Sequence, residues 1–363
     1  MRRTRKLLIC TSLLTVLLIG VFYWLGHLTA TQDLLIRVVA RQRLQETRSD
    51  LLARNQMSVV LCGTGVPAPD RNRASACTAV FVAGQFFLVD VGPSSARNIG
   101  VFGLPVAKLT AVLLTHFHSD HIGDLGEINT QSWMAGRDHP LPVYGPPGVE
   151  SVVEGFVLAY SLDRRYRSAT VSMLSQQAWT IEAHTVSAPG DDKQGSPITV
   201  LERDGLKIVA FAVDHAPVVP AYGYRFDYRG RSVVISGDTA KSANLIRAAS
   251  GADLLIHEAE AKHIIRIVQC VANQQHRVLI EHTLAGIQRY HSSPKDAAEV
   301  ANQAGVKWLI MSHLAPPPAN LLERWAFLRG VSAVRPQRVA LGYDGMLIEL
   351  PLTSHELRFS RLR

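Results

Sequence analysis

The chain has 363 residues, 47% hydrophobic and 19% charged, a balance that excludes a disordered or fibrous protein and leaves room for one large domain or two small ones. A formal net charge of +8 points towards nucleic acid only until the charges are placed. Arg2, Arg3, Arg5 and Lys6 supply half of it before any fold begins, so charge by itself selects no partner.

Behind those four cations, residues 7–26 read LLICTSLLTVLLIGVFYWLG, without a charge and with Tyr23 and Trp24 near the end. About twenty such residues can span a bilayer, and the aromatic pair suits the lipid–water interface. Residues 1–30 are therefore predicted to be an N-terminal transmembrane anchor or a signal segment. HLTA is a poor cleavage site, which favours the anchor. Either reading exports the rest: a domain tethered to the inner membrane on its periplasmic side, or a periplasmic or secreted protein after cleavage. Residues 31–56 have helical periodicity and several arginines, and are predicted to be a helical linker.

From residue 57 onward strands and helices alternate. MSVVLCGTGVPAP predicts a strand and a Gly/Pro loop, CTAVFVAGQFFLVDVG two strands about a turn at Ala83-Gly84, and SARNIGVFGL a helix. AKLTAVLL is a buried strand. LKIVAFAVDH, YGYRFDYRGRSVVISGDT, ADLLIHEAE and VKWLIMSHLAPPP are strands that carry polar clusters at their ends. SPKDAAEVANQAG is a helix with Ser293 as N-cap, Pro294 at its first position and Gly305 as its stop. Residues 57–363 thus predict an α/β domain of packed sheets covered by helices. Cysteine spacing shows no metal motif; a Cys62–Cys77 disulfide stays open.

THFHSDHIGD follows the strand AKLTAVLL. Alternate residues of an extended segment point the same way, so His116 and His118 can meet one ion, while Asp120 and His121 face a second position after the turn. Imidazoles and carboxylates form the borderline-soft set that suits zinc. Two ions need more ligands than one loop holds, and His215, Asp238 and His313 stand at later strand ends. A cluster this dense without an ion would carry unsatisfied or mutually repelling imidazoles.

The H-x-H-x-D-H loop, with LCGTG and FLVDVG before it and SGDT after, resembles the metallo-β-lactamase superfamily. DHAPVVPAYGYRF, LLIHEAE, YHSSPKDAAEVANQAG and LIMSHLAP resemble its ribonuclease Z and arylsulfatase-like branch, over about residues 57–348. The resemblance implies an αββα sandwich and a dinuclear zinc site. One zinc would be held by His116, His118 and His215, the other by Asp120, His121 and His313, with Asp238 bridging. It further implies a hydroxide between the ions as nucleophile, oriented by Asp120, His291 as proton donor, Glu258 fixing the tautomer of His291, and Asp90 buttressing a ligand histidine.

The implied activity is hydrolysis of a phosphodiester or sulfate ester, with a small anionic ester as substrate. Nucleic acid is the second choice, because only RFDYRGRSVVI fills the gap where ribonuclease Z carries a long RNA-binding arm, and because the anchor holds the domain away from tRNA. tRNA 3′ processing, lactone or thioester hydrolysis and a zinc-stabilised binding module are the alternatives, and a homodimer is left open. Arg71 and Arg73 could contact an anionic ester or stand in solvent. His257, His263, His276 and His282 are taken as structural or solvent-facing, and PGDDKQG as a surface turn.

Overall fold

The computed structural model describes residues 15–45, 47–53, 55–187, 196–354 and 356–362. The chain divides into two units, Met1–Arg48 and Ser49–Arg363.

The first unit is helical over residues 15–26 and again over Thr29–Gln45. Residues 7–14 of the predicted span lie outside the described residues. Among the described residues no helix is long and apolar enough to cross a membrane. On this finding the predicted transmembrane anchor has no support, and the placement of the domain in the periplasm, which rested on it, is corrected. Of the predicted linker, residues 31–45 lie in the helix Thr29–Gln45. PGDDKQG falls outside the described residues.

In the second unit the strands are β1 (Gln56–Gly63), β2 (Cys77–Val82), β3 (Gln85–Val89), β4 (Leu109–Leu113), β5 (Leu141–Gly145), β6 (Ile181–Thr185), β7 (Ile198–Arg203), β8 (Leu206–Ala212), β9 (Tyr222–Tyr228), β10 (Arg231–Ile235), β11 (Leu254–Glu260), β12 (Trp308–Ala315), β13 (Val339–Leu341), β14 (Met346–Pro351) and β15 (Arg358–Arg361). They form an eight-stranded sheet, β15-β14-β1-β2-β3-β4-β5-β6, and a seven-stranded sheet, β13-β12-β11-β10-β9-β8-β7.

Side-chain alternation explains the layering. In β2, Val80 and Val82 face the second sheet, while Ala79 and Phe81 face helices on the outer side. Both faces are covered, so β2 is apolar throughout and every residue is buried. In β11, Leu254 and Ile256 enter the layer between the sheets, and Leu255 and Ala259 meet the helix Pro294–Gln303 through Ala297, Ala298 and Ala301. That helix begins where its sequence predicts. Ser293 Oγ accepts from the Asp296 backbone N–H at 3.1 Å, and Asp296 Oδ2 accepts from the Ser293 backbone N–H at 2.9 Å, a reciprocal capping box. The product is two sheets face to face with helices outside, the predicted αββα order.

Cys62 and Cys77 are joined, which ties the end of β1 to the start of β2. β9 and β10 turn through Arg229 and Gly230 alone, so no arm extends between them.

Candidate metal centre

Strands β3 and β4, β10 and β11, and β11 and β12 pair in parallel. Their C-terminal ends therefore come out on one rim, where connecting loops are free to carry chemistry. Asp90 follows β3, His116 to His121 follow β4, Asp238 follows β10, and Glu258 and His313 lie near the ends of β11 and β12. His215 follows β8, and His291 leads into the helix Pro294–Gln303.

The loop after β4 is fixed from both sides. Thr115 donates its backbone N–H to Asp90 Oδ1 at 2.8 Å and its hydroxyl to Asp90 Oδ2 at 2.9 Å. Across the sandwich, the backbone N–H of Tyr222 donates to Thr115 O at 2.9 Å and the Tyr224 hydroxyl to Leu114 O at 2.8 Å. Gly92 is required beneath the turn, because a Cβ there would lie 1.9 Å from Asp120 O. On the opposite wall β12 carries one residue too many against β11: Glu258 pairs with Ser312 and Ala259 with Leu314. The extra residue is His313, left-handed at φ 48°, and this bulge turns its ring towards Asp120 and Asp238.

All seven residues predicted as ligands come together. His116, His118, His215 and Asp238 each offer a donor atom within 4.8 Å of the others, and so do Asp120, His121 and His313 as a second group. Asp238 stands between the groups. Its Oδ2 is 3.8 Å from His116 Nε2, 3.9 Å from His215 Nε2 and 3.3 Å from His121 Nε2, and its Oδ1 is 3.5 Å from His313 Nδ1. Asp120 Oδ2 is 3.1 Å from His313 Nε2.

A cation fits this set. His121 Nε2, His215 Nε2, Asp238 Oδ1 and His313 Nδ1 are buried and, among the described residues, lack a hydrogen-bond partner. Buried polar atoms are seldom left so, and four converging on one space ask for an ion. Burial, helped by His121, holds the His116 imidazole well below its ordinary pKa, and burial also lowers His118 and His215. Those rings are neutral donors. Burial alone would raise Asp238, but His313 and His121 outweigh it and keep its carboxyl well below the usual range. Two groups of nitrogen and oxygen donors sharing one carboxylate suit a pair of borderline-soft divalent cations. His118 is exposed and His291 partly so, which opens the cluster to solvent on that side.

Three further predicted residues sit behind this cluster. Asp90 Oδ2 lies 2.8 Å from His121 Nδ1. Glu258 Oε1 lies 3.1 Å from His291 Nδ1 and accepts the backbone N–H groups of Ser292 at 2.8 Å and Thr239 at 3.2 Å. Burial pulls His291 down, but Glu258, Asp238 and Glu260 outweigh it and raise its pKa to about 9. His257 is buried, with Nδ1 2.7 Å from Glu258 O, and His282 is exposed, in line with their bland readings. Arg71 is exposed, whereas Arg73 turns inward to Thr64 and Gly342. Sequence reasoning missed Thr115, the partner of Asp90, and Tyr290, whose carbonyl lies 3.1 Å from His215 Nδ1. Their only signal is adjacency to His116 and His291.

Residues 86–314 match the family described as the beta-lactamase superfamily domain. Ribonuclease Z of Mycobacterium bovis (strain BCG / Pasteur 1173P2) is 39% identical over 263 residues, covering 72% of this chain and 86% of the relative. The chain belongs to the ribonuclease Z branch of the metallo-β-lactamase superfamily. Ribonuclease Z of Mycobacterium avium (strain 104) is 38% identical over 293 residues, 79% of this chain and 96% of the relative. In fold the chain is similar to the crystal structure of human tRNase Z, short form, with a TM-score of 0.59 and 20% identity over 81% of this chain and 99% of that one.

Proposed function

We propose that this protein is a zinc-dependent phosphodiesterase that cuts RNA in the manner its relatives' names describe, with tRNA 3′ ends as the substrate class. The observation that carries the reading is His291. Its ring also offers a donor atom within 4.8 Å of those of Asp238 and His313, yet the two groups described above are complete without it, and Glu258 holds it beside the cluster, where a leaving oxygen needs a proton. The order of preference from sequence is thereby reversed. The sulfate-ester reading rested on the missing arm and on the anchor; among the described residues no helix supports the anchor, and the relatives are named for ribonuclease activity.

In this reading residues 57–363 form the catalytic part. His116, His118 and His215 would hold one zinc ion, Asp120, His121 and His313 the other, and Asp238 both. Bound there, the ions supply Lewis acidity and lower the pKa of water. The protein's own groups do the rest. Asp120 orients the attacking water and takes its proton. His291 donates a proton to the departing oxygen, and Glu258 keeps the donating nitrogen of His291 turned outward. The buried rim behind them keeps other water away.

The test is release of a defined 3′ trailer from a precursor tRNA by the zinc-loaded full-length protein, lost on chelation and in Asp238→Ala. Intact RNA alongside rapid hydrolysis of an aryl sulfate or a lactone would overturn it.

A further inference from the structure

A second cavity plays no part in that reaction. It measures about 360 Å³ and lies between the loop after β1, the segment after β12 and the C-terminal strand, with Asp70, Arg73, Arg324, Tyr343, Asp344 and Arg361 in its wall. The β15-β14-β1 order of the first sheet brings the loop after β1 beside the C-terminal strand, and the helix Leu321–Phe327, which follows β12, adds Arg324.

Three guanidinium groups share this basin with two carboxylates, and both carboxylates already have partners. Asp344 Oδ1 accepts the Thr64 backbone N–H at 3.0 Å and the Thr64 hydroxyl at 2.6 Å. Its Oδ2 accepts the Ala74 N–H at 2.6 Å and Asn98 Nδ2 at 2.8 Å. Asp70 Oδ1 accepts the Asn72 N–H at 2.7 Å. Arg73 directs Nη1 to Thr64 Oγ1 at 2.5 Å and Gly342 O at 2.9 Å, so it is fixed in the floor. Burial lowers its pKa against the pull of Asp344 and Asp70, and the charge of Arg324, in the wall of the same cavity, adds to the lowering. Arg361 lies over the Tyr343 ring at 5.0 Å. Among the described residues neither Arg324 nor Arg361 forms an ion pair, and both are exposed. Gathered cations with free planar forks make a receptor for a tetrahedral oxyanion.

The basin also adjoins the metal centre. Thr64, which Arg73 holds, accepts the backbone N–H of Leu314 at 3.0 Å, and Leu314 follows His313. β9 and β10 turn without an arm between them, so this turn offers no extended surface for RNA.

We propose that this basin binds a phosphate group through Arg324 and Arg361, with Arg73 behind them. Resting on the ribonuclease reading, that group is a backbone phosphate of the RNA substrate beyond the scissile bond; free phosphate has the same chemistry, and the test separates the two sources.

The test compares zinc-loaded full-length protein with the variant Arg324→Glu/Arg361→Glu. Both side chains are exposed, so unchanged zinc content and melting temperature serve as the fold control. First, inorganic phosphate is titrated calorimetrically into each. Phosphate taken up by the zinc ions gives a heat in both proteins; a further binding step present in the wild type and missing in the variant establishes the site, and equal stoichiometry in the two overturns it, whatever happens with RNA. Second, kinetics are measured on a precursor tRNA and on bis(p-nitrophenyl) phosphate, which is too small to reach both places. The expected result is a KM for RNA raised about tenfold with kcat held, and both parameters within about twofold on the small diester. Loss of that further step with an unchanged RNA KM supports the site and overturns its assignment to substrate. If the wild type cuts no RNA, the ribonuclease reading falls and the phosphate titration alone decides the site.

Discussion

Replacing Asp90 by Asn removes one charge and changes no shape, which makes it a sharp probe of how the centre is held. An ionised carboxylate only accepts, so Asp90 Oδ2, 2.8 Å from His121 Nδ1, keeps a hydrogen on that nitrogen and leaves Nε2 as the ligand atom. Without an ion, burial works against protonation of His121, but Asp238 and Asp90 outweigh it and raise its pKa far above the ordinary value. A cation must displace the Nε2 proton, and the Nδ1–H held by Asp90 permits that. An Asn amide has two orientations there, and both fail. With NH₂ towards His121, Nδ1 must accept, the hydrogen moves to Nε2, and the ligand position is blocked. With the oxygen towards His121, the NH₂ meets the Thr115 backbone N–H that now donates to Oδ1 at 2.8 Å. The second choice strands a buried donor at about 1–3 kcal/mol. Partners that orient a ligand histidine are worth about 10–100-fold in metal affinity. Asp90→Asn should therefore weaken zinc binding by about 1.4–2.8 kcal/mol. Competition against a chelating dye measures this, alongside the melting temperature of the zinc-free protein. Wild-type affinity in Asp90→Asn would refute the tautomer argument, and a lowered melting point with unchanged affinity would leave Asp90 a purely structural residue.

His291→Ala should keep its zinc by elemental analysis yet lose roughly 10²–10⁴-fold in turnover on a diester with an alkyl leaving group, and far less on a p-nitrophenyl diester. Equal losses on the two substrates would remove the proton-donor role. Ser293→Ala breaks the capping box and should cost about 1 kcal/mol in urea unfolding without altering zinc content; no change in the midpoint would mean the cap adds nothing to a helix already buried along one side.

Local features were the ones legible in the sequence. The turn at Ala83-Gly84 and the cap at Ser293 depend on backbone rules acting over a few residues, and both stand where they were read. The cluster of candidate ligands was legible because dense imidazoles at strand ends have few other uses, and its members do come together in the structure. The anchor reading found no support, since an apolar run reports composition and among the described residues no helix is long and apolar enough to cross a membrane. The bulge at His313 was invisible, since it is a mismatch between two strands and exists in neither alone. The helices Lys262–Gln274 and Val278–Ile287 went unread for a related reason. Ile267, Val268, Val271 and Leu279 stay exposed on them, so their apolar residues do not mark a buried stripe. The phosphate basin needs Arg73, Arg324 and Arg361 side by side, which takes the β15-β14-β1 order of one sheet together with the helix Leu321–Phe327 that follows β12 of the other.

The candidate ligands come from both sheets: the 116–121 loop belongs to the first, and His215, Asp238 and His313 belong to the second. A set of donors spread across that seam works as a strain gauge. A shear of a few tenths of an ångström between the sheets changes every cross-seam distance at once, and coordination geometry tolerates less error than apolar contact does. Phe87 of the first sheet and Phe226 of the second meet in the shared core with ring centroids 5.9 Å apart. Large-to-small changes at such positions should register in ion affinity before they register in melting, so the mutational footprint of the chemistry reaches well into parts of the sandwich that never meet substrate.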